Sequence, residues 1–379
     1  MEFSYSREQQ MVKKMIKEFA ENEIAPIAEE IDTSAEYPYE TIGKLGKLGV
    51  MGMPFPQEYG GAGTDYLTYI MAVEELSKVD GSHGVIVQTH NALCCWPIFT
   101  YGTEEQKRKY LPDLLSGKKL GAFGLTEPNA GTDAAMQQTS ASDGGDCWIL
   151  NGSKIFISGG GIADVYVIMA MTDKSKGNKG ISAFLVEKGT PGFSRGKKEN
   201  KMGIRGSIAA ELVFEDCRIP KENLLGAQGK GFKVAMSSLD VGRLGIAAQA
   251  LGIAQGAFDQ TVEYMKQRKQ FGRSLDKFQA LAFEMANMKT RIDGSRLLLY
   301  RACNTRDRGL PGTVTAAQAK LSCSETASYV VDKAVQFHGG YGYIKDYPVE
   351  RMYRDQKITE IYEGTSEVMK MVISGDIFK

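Results

Sequence analysis

Three short segments of this chain place hydroxyls, carboxylates and glycine-flanked amides where they can hold a polar ligand. The first is Phe123-Gly124-Leu125-Thr126-Glu127-Pro128-Asn129-Ala130-Gly131-Thr132-Asp133. Its backbone N–H groups and the hydroxyls of Thr126 and Thr132 can grip a polar ring edge or a phosphate. The second, Ile361-Tyr362-Glu363-Gly364-Thr365-Ser366-Glu367, reads as a helix start, where unpaired N–H groups and the helix dipole favour negative charge. In the third, Gln336-Phe337-His338-Gly339-Gly340-Tyr341-Gly342-Tyr343, a helix ends in glycines that let a ligand or another chain approach the backbone. Each has a plainer reading as well: a surface loop, a helix cap, and a Schellman-type stop with a structural His338.

Other chemistries lack their residues. No GxGxxG follows a strand, and there is no GxxxxGK[ST], HExxH or GxSxG, so the common nicotinamide, nucleotide-hydrolysis, zinc-peptidase and serine-hydrolase signatures fail. Six cysteines without a CxxC pair and three histidines, His83, His90 and His338, support neither a disulfide framework nor a zinc site. Lysine plus arginine equals aspartate plus glutamate at 46 each, so no long-range field draws nucleic acid or an anionic membrane. A bound phosphate must be gripped locally. The longest apolar run, Val165 to Met171, is far below the roughly 20 residues that span a bilayer. The start, Met1-Glu2-Phe3-Ser4-Tyr5, carries no leader pattern, and a cytoplasmic protein is expected.

Positioning these segments takes helices, then strands, then helices. Ser6 and Gln9 form a capping box ahead of Val12, Met15, Ile16 and Phe19 at helical spacing, and Pro26 disturbs that helix. Further helices are expected over Glu40 to Leu48, Leu67 to Val79, Val85 to Thr100 and Glu104 to Leu115. Strands follow: Trp148-Ile149-Leu150 and Ile155-Phe156-Ile157 flank Asn151-Gly152, a hairpin signal, and Val165 to Met171, Ile181 to Glu187 and Glu211 to Phe214 continue the series. Loops are expected around Asp173 to Lys179 and Gly196 to Gly206. Long helices then run over roughly Phe232 to Lys266, Leu275 to Arg306 and Thr313 to Phe337, lengths that suit a four-helix bundle completed by a shorter C-terminal helix. Along the first of them Gly242, Gly245, Ala248 and Gly252 share a face and permit a close neighbour or ligand. The fold class is α+β, with expected domains at residues 1–120 (helical), 121–225 (β) and 226–379 (helical bundle).

In order and spacing the three segments resemble the TEPxAGSD, QxxGGxGY and YEGTSE patterns of the acyl-CoA dehydrogenase family. The intervening Gln267-Arg268-Lys269-Gln270-Phe271-Gly272-Arg273, Gln279 and Asp240-Val241-Gly242-Arg243 agree too, and the short-chain, butyryl-CoA branch looks closest. The resemblance covers essentially the whole chain. It implies an N-terminal helical domain, a middle β-barrel or sandwich domain and a C-terminal four-helix bundle, assembled as a homotetramer, a dimer of dimers. It also implies an FAD cofactor, an acyl-CoA substrate and electron-transferring flavoprotein as the electron acceptor.

Carried over by position, Phe123, Leu125, Thr126, Thr132, Phe156 and Ser158 line the flavin ring and its ribityl side. Arg268, Phe271, Gln279, Gln336, Gly339 and Gly340 hold its pyrophosphate and adenosine across a subunit interface, and Thr365 and Glu367 also touch FAD. Thr132, Asp240, Arg243, Tyr362 and Gly364 meet the acyl-CoA, and Glu363 is the catalytic base. Three positions depart from the family pattern: Phe156-Ile157-Ser158-Gly159 replaces Trp-x-Thr/Ser-Asn, Lys370 replaces an arginine, and Glu367 replaces the glutamine of some branches. Phe156 keeps an aromatic face but loses the indole donor.

Dehydrogenating an acyl thioester requires removal of a proton from Cα and a hydride from Cβ. A free glutamate, with a pKa near about 4.3, is too weak a base unless the thioester carbonyl is polarised. The resemblance supplies the donors, the Glu363 N–H and a flavin ribityl hydroxyl, and burial against Tyr362 is expected to raise the Glu363 pKa. Branches that place the base on the preceding helix have a carboxylate where this chain has Gly242. Asp240 lies two residues earlier, about 200° around the helix, and faces elsewhere. Two rival functions remain: a catalytically silent flavin or acyl-CoA binder, which the intact Glu363 argues against, and an oxidase or decarboxylating dehydrogenase on the same fold.

Overall fold

A computed structural model describes residues 4–379, so the part of the leader reading that falls on Met1 to Phe3 lies outside the described residues. The capping box forms as the sequence predicts: the Ser6 hydroxyl accepts from the Gln9 N–H, and the Gln9 side chain accepts from the Ser6 N–H. Helix α1 (Arg7–Phe19) then loosens into a wide turn (Ala20–Ile24) and a tight one (Ala25–Ile27) around Pro26 before α2 (Ala28–Ser34). Next come α3 (Tyr39–Lys47), α4 (Tyr66–Ser77), α5 (Gly81–Thr89), α6 (Trp96–Tyr101) and α7 (Glu104–Leu115). The helix expected from Val85 starts four residues earlier, because the Asp80 carboxylate caps the His83 N–H, and a wide turn at His90–Cys95 separates α5 from α6.

The β layer comprises β1 (Gly121–Gly124), β2 (Ser140–Asp143), β3 (Cys147–Ser158), β4 (Val165–Met171), β5 (Ile181–Glu187), β6 (Phe193–Lys198), β7 (Ala209–Pro220) and β8 (Leu224–Leu225). Its order is β6-β7-β3-β2-β4-β5-β8, with β1 parallel to β4. The hairpin expected at Asn151-Gly152 is not there. β3 runs straight through, and the pair forms a bulge at which the register against β7 shifts between Leu150 and Gly152. Gly152 has φ 139°, and a Cβ there would strike Thr139 at 2.7 Å, while the Asn151 side chain accepts from the Asp216 N–H at 2.8 Å. Glycine freedom and an asparagine bridge serve a bulge as well as a turn, so the dipeptide alone did not separate them. β6 likewise forms where its C-terminal half was expected to be loop, because β7 supplies its partner residues.

β4 is apolar throughout because both its faces are covered. Val165, Val167 and Met169 pack with Cys94, Cys95, Ile98 and Leu114 of the helical layer, while Tyr166, Ile168 and Ala170 pack with Trp148, Phe184 and Phe214 inside the β layer. This strand fixes the β layer to the first helices, and β1 beside it carries Phe123 into position.

The C-terminal part comprises α8 (Gly231–Gln267), a small ribbon of β9 (Lys269–Gln270) and β10 (Arg273–Ser274), α9 (Gln279–Asp307), α10 (Thr313–His338), α11 (Val349–Gln356) and α12 (Ser366–Ile377). Helix α9 starts later than expected, since Leu275–Lys277 forms a separate tight turn. One core runs from Ile16 and Leu45 through Ile70 and Val73 to Leu251, Ile292 and Val331, joining the first helices to the bundle. The small-residue face of α8 lets them meet closely: Cβ atoms at Gly252 and Gly256 would collide with α4 at Ser77 and with the Lys78 carbonyl that follows it. At the other end of that face, Gly242 and Gly245 meet functional side chains.

Candidate active site

Three helices converge on Glu363. It sits in the turn before α12, with φ 54°, and is followed by Gly364 at φ 103°. Thr365 then caps α12, its hydroxyl accepting from the Val368 N–H at 3.3 Å. The Glu363 Oε1 accepts from Gln88 Nε2 of α5 at 3.0 Å, and the same Nε2 donates to the Gly242 carbonyl of α8 at 2.9 Å. The Glu363 Oε2 is sealed from solvent and has no hydrogen-bond partner among the described residues. Among the described residues the Glu363 N–H donates to no acceptor within the chain. Burial raises the Glu363 pKa to about 7, against the lowering influence of the Gln88 hydrogen bond and the charges of Lys320 and Arg243.

Gly242 makes room for this carboxylate: a Cβ there would collide with Glu363 Oε2. Asp240 points away, as the helical geometry predicts. Its Oδ1 pairs with Arg243 Nη1 at 2.7 Å and its Oδ2 accepts from the Thr313 hydroxyl at 2.6 Å. Arg243 Nε donates to the Glu363 carbonyl at 3.1 Å, and the Tyr362 hydroxyl bonds to Gln249 Oε1. Arg243, Tyr362 and Gly364 thus adjoin Glu363, while Asp240 is linked to it only through Arg243.

Sequence reasoning missed two residues here. Gln88 is fully buried after Val85-Ile86-Val87, and Lys320 is fully buried on a face of α10 that includes Ala316, Ala317 and Cys323. The local sequence did not set either apart: Gln88 is followed by Thr89, His90 and Asn91, and Lys320 lies between Gln318 and Ser322.

The residues expected along the flavin ring lie on β1, β3 and the loop after β1. Phe123 is on β1, Leu125 and Thr126 follow it, and Phe156 and Ser158 end β3. A buried ion pair anchors the loop: Lys154 Nζ meets Glu127 Oε1 at 2.7 Å, the Leu125 carbonyl at 3.1 Å and Gln137 Oε1 at 3.0 Å. Glu127 also accepts from the Gln138 and Thr139 N–H groups. Thr126 is therefore held from both sides, whereas Thr132 stands on the exposed part of the loop. Beside Ser158 a small cleft opens toward Thr89 of α5, the residue after Gln88. Glu127→Ala is expected to destabilise the protein by about 3–5 kcal/mol, because it strands the Lys154 ammonium in the interior. Urea unfolding of the two proteins measures this, and a loss below about 1 kcal/mol would mean that the pair does not anchor the loop.

Arg268, Phe271 and Gln279 lie between α8 and the start of α9, and Gln336, Gly339 and Gly340 at the end of α10. The Arg268 guanidinium covers the Tyr341 ring at 5.5 Å, and the Tyr264 hydroxyl donates to the His338 carbonyl at 3.2 Å, which brings Arg268 and the glycine turn to one end of the bundle. His338 is structural, stacked on Tyr264 with its Nδ1 at 2.7 Å from the Ala334 carbonyl. The turn is not a Schellman stop, since Gly339 has φ 60° and ψ −136°. The space where Cβ atoms of Gly339 and Gly340 would project is open. Glu367 is exposed in the first turn of α12. Among the described residues six non-glycines have positive φ, and three of them are Phe156, Phe271 and Glu363. Backbone strain thus collects at the residues singled out for chemistry.

Family models for the N-terminal, middle and C-terminal domains of acyl-CoA dehydrogenase match residues 6–118, 122–217 and 229–378. The chain is 61% identical over 379 residues to the short-chain specific acyl-CoA dehydrogenase of Clostridium acetobutylicum, covering 100% of both chains. The structure of butyryl-CoA dehydrogenase from Megasphaera elsdenii superposes with a TM-score of 0.99 at 52% identity, again with 100% of each chain covered. A chain from a structure described as electron transferring flavoprotein of Acidaminococcus fermentans, toward a mechanism of flavin-based electron bifurcation, matches with a TM-score of 0.99 at 55% identity and 100% of each chain. With every third of its length matched by the corresponding domain, and with relatives of this identity, the chain belongs to the acyl-CoA dehydrogenase family of oxidoreductases.

Proposed function

We propose that the protein catalyses FAD-dependent α,β-dehydrogenation of a short acyl-CoA, of the butyryl-CoA kind, to the trans-2-enoyl-CoA, and passes the electrons to an electron-transferring flavoprotein. The observation that supports this most directly is one turn that offers both a base and an oxyanion donor. Among the described residues Glu363 has a buried carboxylate oxygen without a partner and an N–H without an acceptor. Glu363 takes the Cα proton, and its N–H stabilises the negative charge that develops on the thioester oxygen.

The residues fit the cofactor. Phe156, 62% exposed, and Phe271, 94% exposed, are aromatic faces in strained backbone, and the open space at Gly339 and Gly340 admits a chain of phosphates to the backbone. Bound FAD supplies the hydride acceptor. On this reading Phe123, Leu125, Thr126, Phe156 and Ser158 hold the ring, with Thr132, Thr365 and Glu367 at its edges. Arg268, Phe271, Gln279, Gln336, Gly339 and Gly340 hold the pyrophosphate and adenosine of a neighbouring subunit's cofactor, in a homotetramer.

The purified protein is expected to be yellow, to be bleached anaerobically by butyryl-CoA with crotonyl-CoA as product, and to show its highest kcat/KM at about four to six acyl carbons. A colourless protein that does not rebind FAD would overturn the cofactor reading, and a peak at about twelve carbons or more the substrate reading. Reduction is also expected to rise with pH across an acid limb near about 7, because the raised Glu363 carboxyl accepts a proton only once it is ionised. A rate independent of pH between about 5 and 9 would contradict this.

A further inference from the structure

The buried cation on α10 has no place in the function so far. Lys320 is 0% exposed, and its Nζ donates to the Gly364 carbonyl at 2.6 Å. Among the described residues it forms no ion pair with a carboxylate, although an interior ammonium ordinarily needs one. One turn further along α10, the buried Ser324 hydroxyl donates to the Thr359 carbonyl at 2.9 Å. Helix α10 thus grips the segment leading through Glu363 at two points, while Arg243 of α8 grips the Glu363 carbonyl from the other side. Two successive carbonyls, those of Glu363 and Gly364, are each held by a cation at the place where two successive residues have positive φ.

We propose that Lys320 is a positioning residue for Glu363. Its ammonium, held on the Gly364 carbonyl, fixes the left-handed turn that sets the Glu363 carboxylate against Gly242, and it is the positive charge that keeps this carboxylate ionisable in a dry site. The inference rests on the reading of Glu363 as the base. A non-glycine residue in the left-handed region costs of the order of 1 kcal/mol, so the turn persists only where its neighbours enforce it. The charged and titratable groups around Glu363 are few. Lys320 comes from α10, Arg243 with its partner Asp240 from α8, and Tyr66 and Tyr69 from α4. Glu360, Tyr362 and Glu367 come from its own segment, and the α5 neighbour, Gln88, is uncharged. Asp240 pairs with Arg243 at 2.7 Å, whereas among the described residues Lys320 has no carboxylate at ion-pair distance and feels Glu360 and Glu367 only from further away. Glu363 acts back on Lys320, opposing the burial that pulls the lysine down to about 8.

The test uses the FAD-loaded enzyme and its Lys320→Met and Lys320→Gln variants, of which the second keeps a donor for the Gly364 carbonyl without the charge. Two measurements are made: the pH dependence of flavin reduction by butyryl-CoA, and the titration, without substrate, of the infrared carboxyl band that disappears in Glu363→Gln. Both neutral variants are expected to move the acid limb and the carboxyl titration upward together by about one pH unit or more, with kcat reduced at neutral pH and recovering above it, and with KM little changed. If Lys320→Met yields no folded holoenzyme, Lys320→Gln alone decides. A folded neutral variant that titrates like the wild type overturns the proposal, even if it is less stable. Failure of the underlying reading is distinguishable, since a Glu363→Gln enzyme that reduces its flavin at near the wild-type rate removes the base itself.

Discussion

Glu363→Gln is expected to leave a yellow, folded enzyme that still binds acyl-CoA while flavin reduction falls by about 100- to 10,000-fold, the usual effect of losing a general base. The substitution is nearly isosteric, and Gln88 can still donate to the side-chain oxygen it now meets at 3.0 Å. The clamps on the backbone are also unaffected, because Arg243 and Lys320 bind the carbonyls of residues 363 and 364 and not the side chain. What is lost is the lone pair on an oxygen that no other group among the described residues engages. Stopped-flow reduction by butyryl-CoA measures the rate, and the flavin spectrum on titration with acyl-CoA reports binding. Near wild-type reduction would show that another group is the base. A variant that reduces slowly but no longer binds acyl-CoA would place Glu363 in substrate binding instead.

Much of this site was legible in the sequence because it is built from local signals. The capping box at Ser6, the small-residue face of α8 and the apolar β4 each report a periodicity or a turn preference that tertiary packing then used unchanged. The angular argument about Gly242 and Asp240 also needed only the helix itself, and the side chains lie where it puts them. What was not legible depends on partners far along the chain. Gln88 gains its meaning from Gly242 and Glu363, 154 and 275 residues away, and Lys320 from Gly364, 44 residues away. Asn151-Gly152 failed for the same reason. Whether such a pair turns the chain or bulges it depends on β7 and Thr139, which a dipeptide does not report.

Moving the carboxylate from one helix to the other is expected to restore part of the activity that its removal destroys. Glu363→Gly alone should lose the base and fall by about 100- to 10,000-fold. Gly242→Glu alone should do no better, since its Cβ would overlap the Glu363 carboxylate and two carboxylates would share one dry site, where they cannot both ionise. In the double variant each defect relieves the other. The carboxylate that obstructs residue 242 is gone, and a glycine at position 363 accepts the left-handed turn without strain. Gln88 Nε2 lies 3.1 Å from where the new Cβ would be, close to the relocated side chain, and the N–H of residue 363, proposed above as the oxyanion donor, belongs to the backbone and survives the change. Recovery should be incomplete. The Cβ at position 242 starts where the Glu363 carboxylate ends, so the new side chain must fold back to bring its oxygens to the same point. The double variant is therefore expected to reduce flavin at least about tenfold faster than Glu363→Gly, a gain of about 1.4 kcal/mol in the activation barrier, and because Gly242→Glu alone is itself damaging the coupling between the two positions is larger still. If the two losses instead multiply, so that the double variant is slower than either single one, positions 242 and 363 do not address the same substrate carbon, and the assignment of Glu363 to the Cα proton loses its geometric basis.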